Sequence, residues 1–325
     1  MAISNKFSTH IVVLFTVFYT TVFILSTIGN TWVLVTCYKT LKRRHFPFMW
    51  LLATLASADL SFTLLTVFTS VSYIHQWVGG NSTCKLQGFL LEASYTASII
   101  TLVIISYQRR KALTDPFNAR TSIWPLREYT KLVLIWGLSL VVCSPLLHIY
   151  YVRRSRNGEV VCLSIARKDT IPKIYYSLHT TFFFAIPLLY IILTQCRIFQ
   201  TLRTSVVPIN NLFMKRSNQR HRKAAKTLAA LTIAFVLCWS PFMITRTLIY
   251  FHMASPGLVW RASQLLIFLN AALDPLLYGF FGGNLKSSLR RALLCKNYIL
   301  CYHRRVAEFR QPRLGRLHSE NALTV

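Results

Sequence analysis

The sequence has 325 residues and is strongly basic, with 37 Lys and Arg residues against nine Asp and Glu residues and a formal net charge of +28 at pH 7. A soluble protein with this balance would be expected to bind nucleic acid. Here, however, long uncharged apolar runs separate the basic residues, and 54% of all residues are hydrophobic. This pattern excludes a nucleic-acid-binding protein and predicts a membrane protein.

Seven apolar runs are each long enough for a helix that spans a bilayer, which needs about 20 residues. Helices in a globular core are shorter and keep a polar face. We therefore predict an all-α membrane protein built as a seven-transmembrane helix bundle. The runs are Ile11–Tyr38, Pro47–Gln76, Leu86–Tyr107, Leu132–Val152, Ile174–Cys196, Leu228–Tyr250 and Leu258–Phe281.

The distribution of charge sets the expected orientation. Most Lys and Arg residues follow the first, third, fifth and seventh runs, and cytoplasmic loops carry the excess of such residues. We therefore expect a multi-pass protein of the plasma membrane with an extracellular N-terminus. Residues 1–10 would form this N-terminus, 11–281 the transmembrane domain, 282–294 an amphipathic helix on the inner leaflet, and 295–325 a cytoplasmic tail.

Polar residues fall in the middle of three apolar runs, namely Asn30, Asp59 and Asp274. An unpaired polar group inside hydrocarbon is costly. An asparagine there can serve a helix–helix hydrogen bond, whereas a carboxylate inside a membrane predicts a functional site.

A β-hairpin and a disulfide are expected on the outer side. Asn157-Gly158 lies between β-prone flanks and favours a type I′ turn, which places Cys162 at the end of the second strand. Cys84 begins the third run, and these two are the only cysteines expected at the oxidising face, so they should pair. Asn81 opens a glycosylation sequon, Asn81-Ser82-Thr83, in the loop before Cys84.

The segment after the seventh run offers contacts with membrane lipids. Residues 282–294 alternate apolar and basic at helical spacing, and the basic tail is expected to attract anionic lipid. Cys295 and Cys301 are candidates for palmitoylation, with ordinary free thiols as the alternative. Apart from tyrosines, Ser319 and Thr324 are the only hydroxyl residues after Cys295.

A set of polar, aromatic, cysteine and proline residues recurs through the seven runs, and although each motif alone is weak, the set in this order and at these depths is specific. It comprises Asn30, Asp59, Trp77, Cys84, Arg109, Trp136, Cys162, Pro187, Phe235, Trp239, Pro241, Asp274, Pro275 and Tyr278. Taken together, these residues resemble those of rhodopsin-like (class A) G-protein-coupled receptors, and of peptide receptors in particular, over roughly residues 11–301. By this resemblance, the few hydroxyl residues of the tail imply modest arrestin recruitment, which grafting a Ser/Thr-rich tail would test.

The resemblance implies two internal sites. Asn30, Asp59, Ser98 and Asp274 would form an allosteric sodium site, and no other cofactor is expected. Trp239 and Phe235 would lie beneath the ligand as a switch that moves the sixth helix. The residues expected to serve this switch and the coupling to a heterotrimeric G protein are Gln108, Arg109, Arg110, Phe235, Trp239, Pro241, Pro275 and Tyr278.

The chain departs from the family pattern around Arg109. The acidic residue that usually precedes this arginine is Gln108, and the tyrosine that usually follows it is Arg110. Glutamine can only hydrogen-bond, so we expect a weakened resting state and raised basal activity. The tyrosine that usually meets the arginine from the fifth helix is replaced by Gln195.

The predicted ligand pocket disfavours two ligand classes. Amine receptors carry an aspartate where this chain has Leu91, with Glu92 beside it, and visual pigments need a lysine where it has Phe268. Arg246 wants an anionic partner, either Glu92 or a ligand group. The expected pocket residues are Leu91, Glu92, Tyr95, His179, Trp239, Phe242, Met243, Arg246, Gln264 and Phe268.

By resemblance, a hairpin over the pocket indicates a peptide ligand with an acidic group or free C-terminus that reaches Arg246. The alternative within the family is a small anionic ligand such as a nucleotide, organic acid or lysophospholipid. The alternative from another class is a membrane transporter, which should show inverted repeats and broken helices. An enzyme is not expected, because the sequence contains no nucleophile or metal-ligand constellation.

Overall fold

The chain folds into a bundle of long helices with one small sheet. The computed structural model describes residues 8–42, 47–74, 76–114, 125–154, 158–164, 170–204, 212–255 and 257–281. The helices are α1 (Thr9–Leu41), α2 (Pro47–Ile74), α3 (Asn81–Thr114), α4 (Pro125–Cys143), α5 (Leu146–Ile149), α6 (Thr170–Thr180), α7 (Ile186–Thr204), α8 (Leu212–Tyr250) and α9 (Leu258–Phe281); the strands are β1 (Tyr151–Arg154) and β2 (Val160–Leu163). The fold class predicted from the sequence is confirmed.

The outer surface of the bundle suits a lipid environment. Six segments of the described chain are long and apolar enough to cross a bilayer, and α9 is a further long helix. Large apolar side chains on the helices are exposed, among them Leu14, Ile28, Val133, Val141 and Leu237. In water this surface would be an aggregation hazard, whereas in a bilayer it contacts acyl chains.

Helix α3 is the structural centre of the bundle. It packs against α2, α4, α7 and α8, while α1 packs against both α2 and α9. Its first turn carries Cys84 and its last two turns carry Arg109. We call the end of the bundle with Cys84 and the two strands the hairpin end, and the opposite end the Arg109 end.

The predicted β-hairpin and disulfide are confirmed. Strands β1 and β2 pair antiparallel with Val152 opposite Cys162, and Gly158 between them has a positive φ of 78°, as a tight turn requires. Cys162 is bonded to Cys84, with 5.7 Å between their Cα atoms. The disulfide therefore fixes β2 to the first turn of α3.

Further contacts hold the hairpin to the segment that joins α2 to α3. The Trp77 backbone N–H donates to the Val160 carbonyl at 2.8 Å, and Val160 N–H donates to Gln76 Oε1 at 3.3 Å. Asn81, expected in the loop, is instead the first residue of α3. Its Oδ1 accepts a hydrogen bond from Val152 N–H at 3.1 Å. Both strands are therefore anchored independently of the disulfide.

Prolines lie inside four of the predicted runs and affect them in different ways. The fourth run is not one helix to Val152, because Pro145 has no N–H, and α4 ends at Cys143. The fifth run contains a π-helical turn, Thr181–Ala185, just before Pro187. Pro187 cannot donate to the preceding turn, which accounts for the local widening. Pro241 and Pro275 lie inside α8 and α9.

Several predicted features lie outside the described residues. These are residues 1–7 of the N-terminus, the amphipathic helix at 282–294, the tail with Cys295 and Cys301, and the side chain of Tyr278.

We predict that Gly29 is required for the close approach of α1 to α9. A Cβ atom at Gly29 would lie 2.8 Å from the Pro275 Cβ, and the proline ring has little freedom to move away. Gly29→Ala should therefore destabilise the purified protein by about 1–3 kcal/mol, the usual cost of overpacking. Gly137→Ala is the matched control, because no atom lies within 4 Å of its Cβ position. Equal melting temperatures for the two variants would contradict the prediction.

Candidate functional site

A buried ion pair joins α3 to α8 near the hairpin end. Arg246 Nη1 donates to Glu92 Oε1 at 2.6 Å, and both residues are buried. Arg246 Nη2 also donates to Thr180 Oγ1 at 3.4 Å. Of the two partners that the sequence analysis left open for Arg246, the structure therefore has Glu92.

The Arg246 guanidinium is enclosed by aromatic and sulfur groups. It lies 4.8 Å from the ring centre of Tyr176 and 5.2 Å from that of Phe242. Met243 Sδ lies 3.1 Å from Nη2. Nε of Arg246 and Oε2 of Glu92 are buried and have no hydrogen-bond partner within the described parts of the chain. The pair thus keeps one donor and one acceptor available to a further polar group.

His179 links α6 to α3 beside this ion pair. Its Nδ1 lies 4.0 Å from Glu92 Oε2, and its Nε2 is 3.1 Å from the Thr96 hydroxyl. The imidazole stacks between Tyr175 at 5.6 Å and Phe183 at 5.3 Å. Three helices therefore meet at one buried polar cluster.

An aromatic stack runs from this cluster toward the Arg109 end. Tyr95 lies one turn after Glu92 on α3, and its ring stacks on Trp239 at 4.3 Å with an interplanar angle of 22°. Trp239 stacks in turn on Phe235 at 5.8 Å, and Phe235 contacts Phe184 of the π turn. A displacement of Arg246 or Tyr95 would consequently shift Trp239, which lies two residues before Pro241.

The remaining predicted pocket residues occupy other parts of the bundle. Phe268 contacts Phe62 of α2 and Tyr19 of α1, at 5.9 Å and 5.7 Å. Gln264 keeps a buried Oε1 without a hydrogen bond, and Leu91 is half-buried. The structure therefore brings Glu92, Tyr95, His179, Trp239, Phe242, Met243 and Arg246 into one contact network, while Phe268 faces α1 and α2.

A second polar cluster lies deeper in the bundle, around Asp59. Ser98 donates a hydrogen bond to Asp59 Oδ1 at 2.9 Å, and Asp274 is close enough to interact electrostatically with Asp59. Asn30 Nδ2 donates to the Ala271 carbonyl at 2.9 Å, which ties α1 to α9. The four predicted residues of the sodium site therefore come from four helices, α1, α2, α3 and α9, and lie at a similar depth in the bundle.

The oxygens around Asp59 suit a hard cation. Asp59 Oδ2, Asp274 Oδ2 and Asn30 Oδ1 are buried and have no hydrogen-bond partner among the residues that the structure describes. Two carboxylates so close in a membrane interior need a shared proton or a cation between them. Hard cations are bound by oxygen ligands of this kind. The residues present therefore fit a sodium ion.

Arg109 has an aromatic partner in place of the usual carboxylate. Its guanidinium carbon lies 3.9 Å from the ring centre of Phe48 on α2, and it makes no ion pair with any residue that the structure describes. Such cation–π contacts contribute about 0.5–2 kcal/mol. On α7, Gln195 is buried, and both polar atoms of its amide lack a partner within the described segments. Neither residue of this region is therefore held by a strong polar bond.

The sequence interpretation missed several residues that complete these sites. Thr180, Tyr176 and Thr96 contact the ion pair or His179, and Phe48 contacts Arg109. A neutral hydroxyl or an aromatic ring in an apolar run carries no signal by itself. Only the packing of the helices shows which of them face a charge.

Comparisons with known proteins agree with the arrangement. The model of the family described as 7 transmembrane receptor (rhodopsin family) matches residues 29–278. C-X-C chemokine receptor type 1 of Macaca mulatta is 29% identical over 305 residues, which cover 88% of this chain and 83% of that receptor. C-X-C chemokine receptor type 2 of Oryctolagus cuniculus is 29% identical over 296 residues, covering 86% and 78%. Galanin receptor 2a of Danio rerio is 26% identical over 292 residues, covering 87% and 78%.

We predict that the Glu92–Arg246 ion pair is strongly coupled. Glu92→Gln and Arg246→Gln should each destabilise the purified protein by about 3–5 kcal/mol, because each leaves a buried charge unpaired. The double variant should lose less than the sum of the two single variants. Unfolding in detergent micelles measures this cycle.

The exposed hairpin carboxylate provides the control for that cycle, since Glu159→Gln should change stability little. Additive effects of Glu92→Gln and Arg246→Gln in the double variant would mean that their contact contributes no coupling energy.

Proposed function

The chain belongs to the rhodopsin family of seven-transmembrane receptors, and from this premise we propose that it binds an extracellular peptide and activates heterotrimeric G proteins. Members of this family are receptors rather than enzymes. The observation that carries the proposal is the buried contact path from the Glu92–Arg246 pair through His179 and Tyr95 to Trp239. A ligand at the hairpin end would alter one end of this path.

The peptide assignment rests on the hairpin and on the relatives. The hairpin is fixed to the first turn of α3 by the disulfide, Asn81 and the Trp77 segment. The relatives named above are receptors for chemokines and for galanin. Both the tethered hairpin and these relatives support a peptide ligand.

Ligand chemistry at Arg246 is constrained by Glu92. An acidic group that reached Arg246 would have to displace Glu92, and this would leave a second carboxylate unpaired in the bundle. A ligand that also offers a cation or hydrogen-bond donor to Glu92 avoids that cost. Peptides can carry both kinds of group, whereas a purely anionic small ligand cannot.

The alternative is a small anionic ligand, which the orphaned Arg246 Nε would favour. Protease treatment of an activating tissue extract separates the two possibilities. Loss of activation after digestion indicates a peptide, and retained activation indicates a nucleotide, organic acid or lysophospholipid.

The signalling step would use helix α8, which contains Pro241. Rotation of Trp239 away from Tyr95 would release the stack beside Pro241 and allow the part of α8 at the Arg109 end of the bundle to move outward. Arg109 would then leave Phe48, since one cation–π contact is weaker than a buried ion pair. Gln195, whose amide lacks a partner within the described chain, would be available to hydrogen-bond the arginine.

The orientation proposed from the basic residues places the hairpin end outside the cell. It puts the disulfide in the oxidising compartment and Arg109 in the cytoplasm. Glycosylation of Asn81 is compatible with this orientation, because its side chain is exposed and the hairpin contact uses only Oδ1.

We predict constitutive G-protein activation in cells without ligand, because Gln108 cannot form the ion pair that normally restrains the arginine. Sensors for each Gα family should report a signal that Arg109→Ala abolishes and Gln108→Glu lowers. An N-terminal epitope stained on intact cells verifies surface expression and also tests the orientation. No basal signal in any Gα channel, with the epitope visible, would refute the raised basal activity.

We also predict that sodium stabilises the receptor through Asp59. When bound, the ion would supply positive charge between Asp59 and Asp274, and at 100 times its Kd it would contribute about 2.7 kcal/mol. Sodium chloride should therefore raise the melting temperature relative to choline chloride at equal ionic strength. Asp59→Asn should remove this difference, while Glu159→Gln should retain it. Indifference of the wild type to sodium would rule the site out.

A further inference from the structure

A cavity of about 310 Å³ lies at the Arg109 end between α3 and α7, apart from the Glu92 and Asp59 clusters. A water molecule occupies about 30 Å³ in the liquid, so the cavity is large enough for a substituted phosphate group. Its lining is Arg110, Leu113 and Thr114 from α3 and Arg197, Ile198, Gln200 and Thr201 from α7. The cavity is therefore bordered by two guanidinium groups from facing helices.

Neither arginine has an ionic partner in the part of the chain that the structure describes. Two like charges at one cavity repel each other, and an anion between them would satisfy both. The nearby hydroxyls of Thr114 and Thr201 cannot replace that anion, because they are neutral and leave both positive charges uncompensated. The electrostatics of the cavity thus favour a ligand with two negative charges.

The position of the cavity favours a lipid over a soluble anion. All seven lining residues lie in the last turns of candidate membrane spans, Asn81–Thr114 and Thr170–Arg203. This is the depth of the lipid headgroups. Leu113 and Ile198 add apolar surface next to the arginines, as a glycerol backbone and acyl chains require. Basic pockets between helices on the cytoplasmic side are typical sites for phosphorylated headgroups.

We propose that this cavity binds an inner-leaflet phospholipid whose headgroup carries a phosphate monoester, as in phosphatidylinositol 4-phosphate. The monoester carries a charge of about −1.5 to −2 at pH 7, which matches the two arginines. Guanidinium forks bind such phosphates through paired hydrogen bonds. The proposal rests on the orientation proposed above, because phosphoinositides are lipids of the cytoplasmic leaflet. It does not require G-protein coupling.

The test uses the full-length receptor in phosphatidylcholine nanodiscs, which present the same lipids on both faces and so remove the dependence on orientation. Binding of fluorescent phosphatidylinositol 4-phosphate is measured for the wild type, Arg110→Gln and Arg197→Gln. Each substitution should weaken binding by roughly tenfold, the value of a charged hydrogen bond to phosphate. Lys111→Gln is the matched control, because this exposed lysine is adjacent on α3 but does not line the cavity.

Three further arms make the result decisive. Arg197→Lys, which keeps the charge but loses the fork, should bind with intermediate affinity, and its melting temperature without phosphoinositide should equal that of the wild type. Phosphatidylserine at equal membrane charge should bind more weakly. Water-soluble inositol 1,4-bisphosphate should compete poorly.

Equal weakening by Lys111→Gln would overturn the site in favour of diffuse charge. Equal affinity for inositol 1,4-bisphosphate and for the lipid would overturn the assignment to a membrane lipid. Failure of the Gα sensors would leave this measurement intact, so the two proposals fail independently.

Discussion

Charged and polar side chains inside a bilayer are tolerated only when other protein groups satisfy them, and the Glu92–Arg246 ion pair is where this protein meets that constraint most directly. The pair joins the central helix α3 to helix α8, which contains Pro241, at 2.6 Å. Neither helix can move far along or around the other while the pair is intact. The Tyr95–Trp239 stack lies one turn deeper and depends on the same spacing between α3 and α8.

The same constraint organises the other half of the bundle. Asp59, Asp274 and Asn30 come from three helices, yet their side chains lie close together because hydrocarbon offers no other partners. The two clusters differ in balance. The cluster at Glu92 contains its own counter-ion, whereas the cluster at Asp59 holds two acids whose Oδ2 atoms have no hydrogen-bond partner within the described segments, and so it has capacity for a cation. One cluster is suited to holding helices together and the other to sensing an ion.

Much of this fold can be read from the sequence, and the exceptions have physical reasons. Residues adjacent in the chain encode the apolar runs and the hairpin turn at Gly158. The Cys84–Cys162 pair could be predicted because these are the only two cysteines expected at the oxidising face of the membrane. The π turn before Pro187 and the early end of α4 were not foreseen, because hydropathy does not report which backbone bond a proline removes. The Arg109–Phe48 contact was missed for another reason. A cation can rest on any nearby ring, and the sequence holds 22 phenylalanines.

The π turn in the fifth span determines which face each half of that helix presents. Before the turn, Tyr176 and His179 point inward, and after it the buried positions are Ile191, Gln195 and Ile198. One extra residue in a helix advances its register by about 100°, since an ordinary turn takes 3.6 residues. A straight helix would have aimed either the histidine or the glutamine at the lipid. The single inserted position thus corrects the helical phase, so that one continuous segment buries His179 toward the hairpin end and Gln195 toward the Arg109 end.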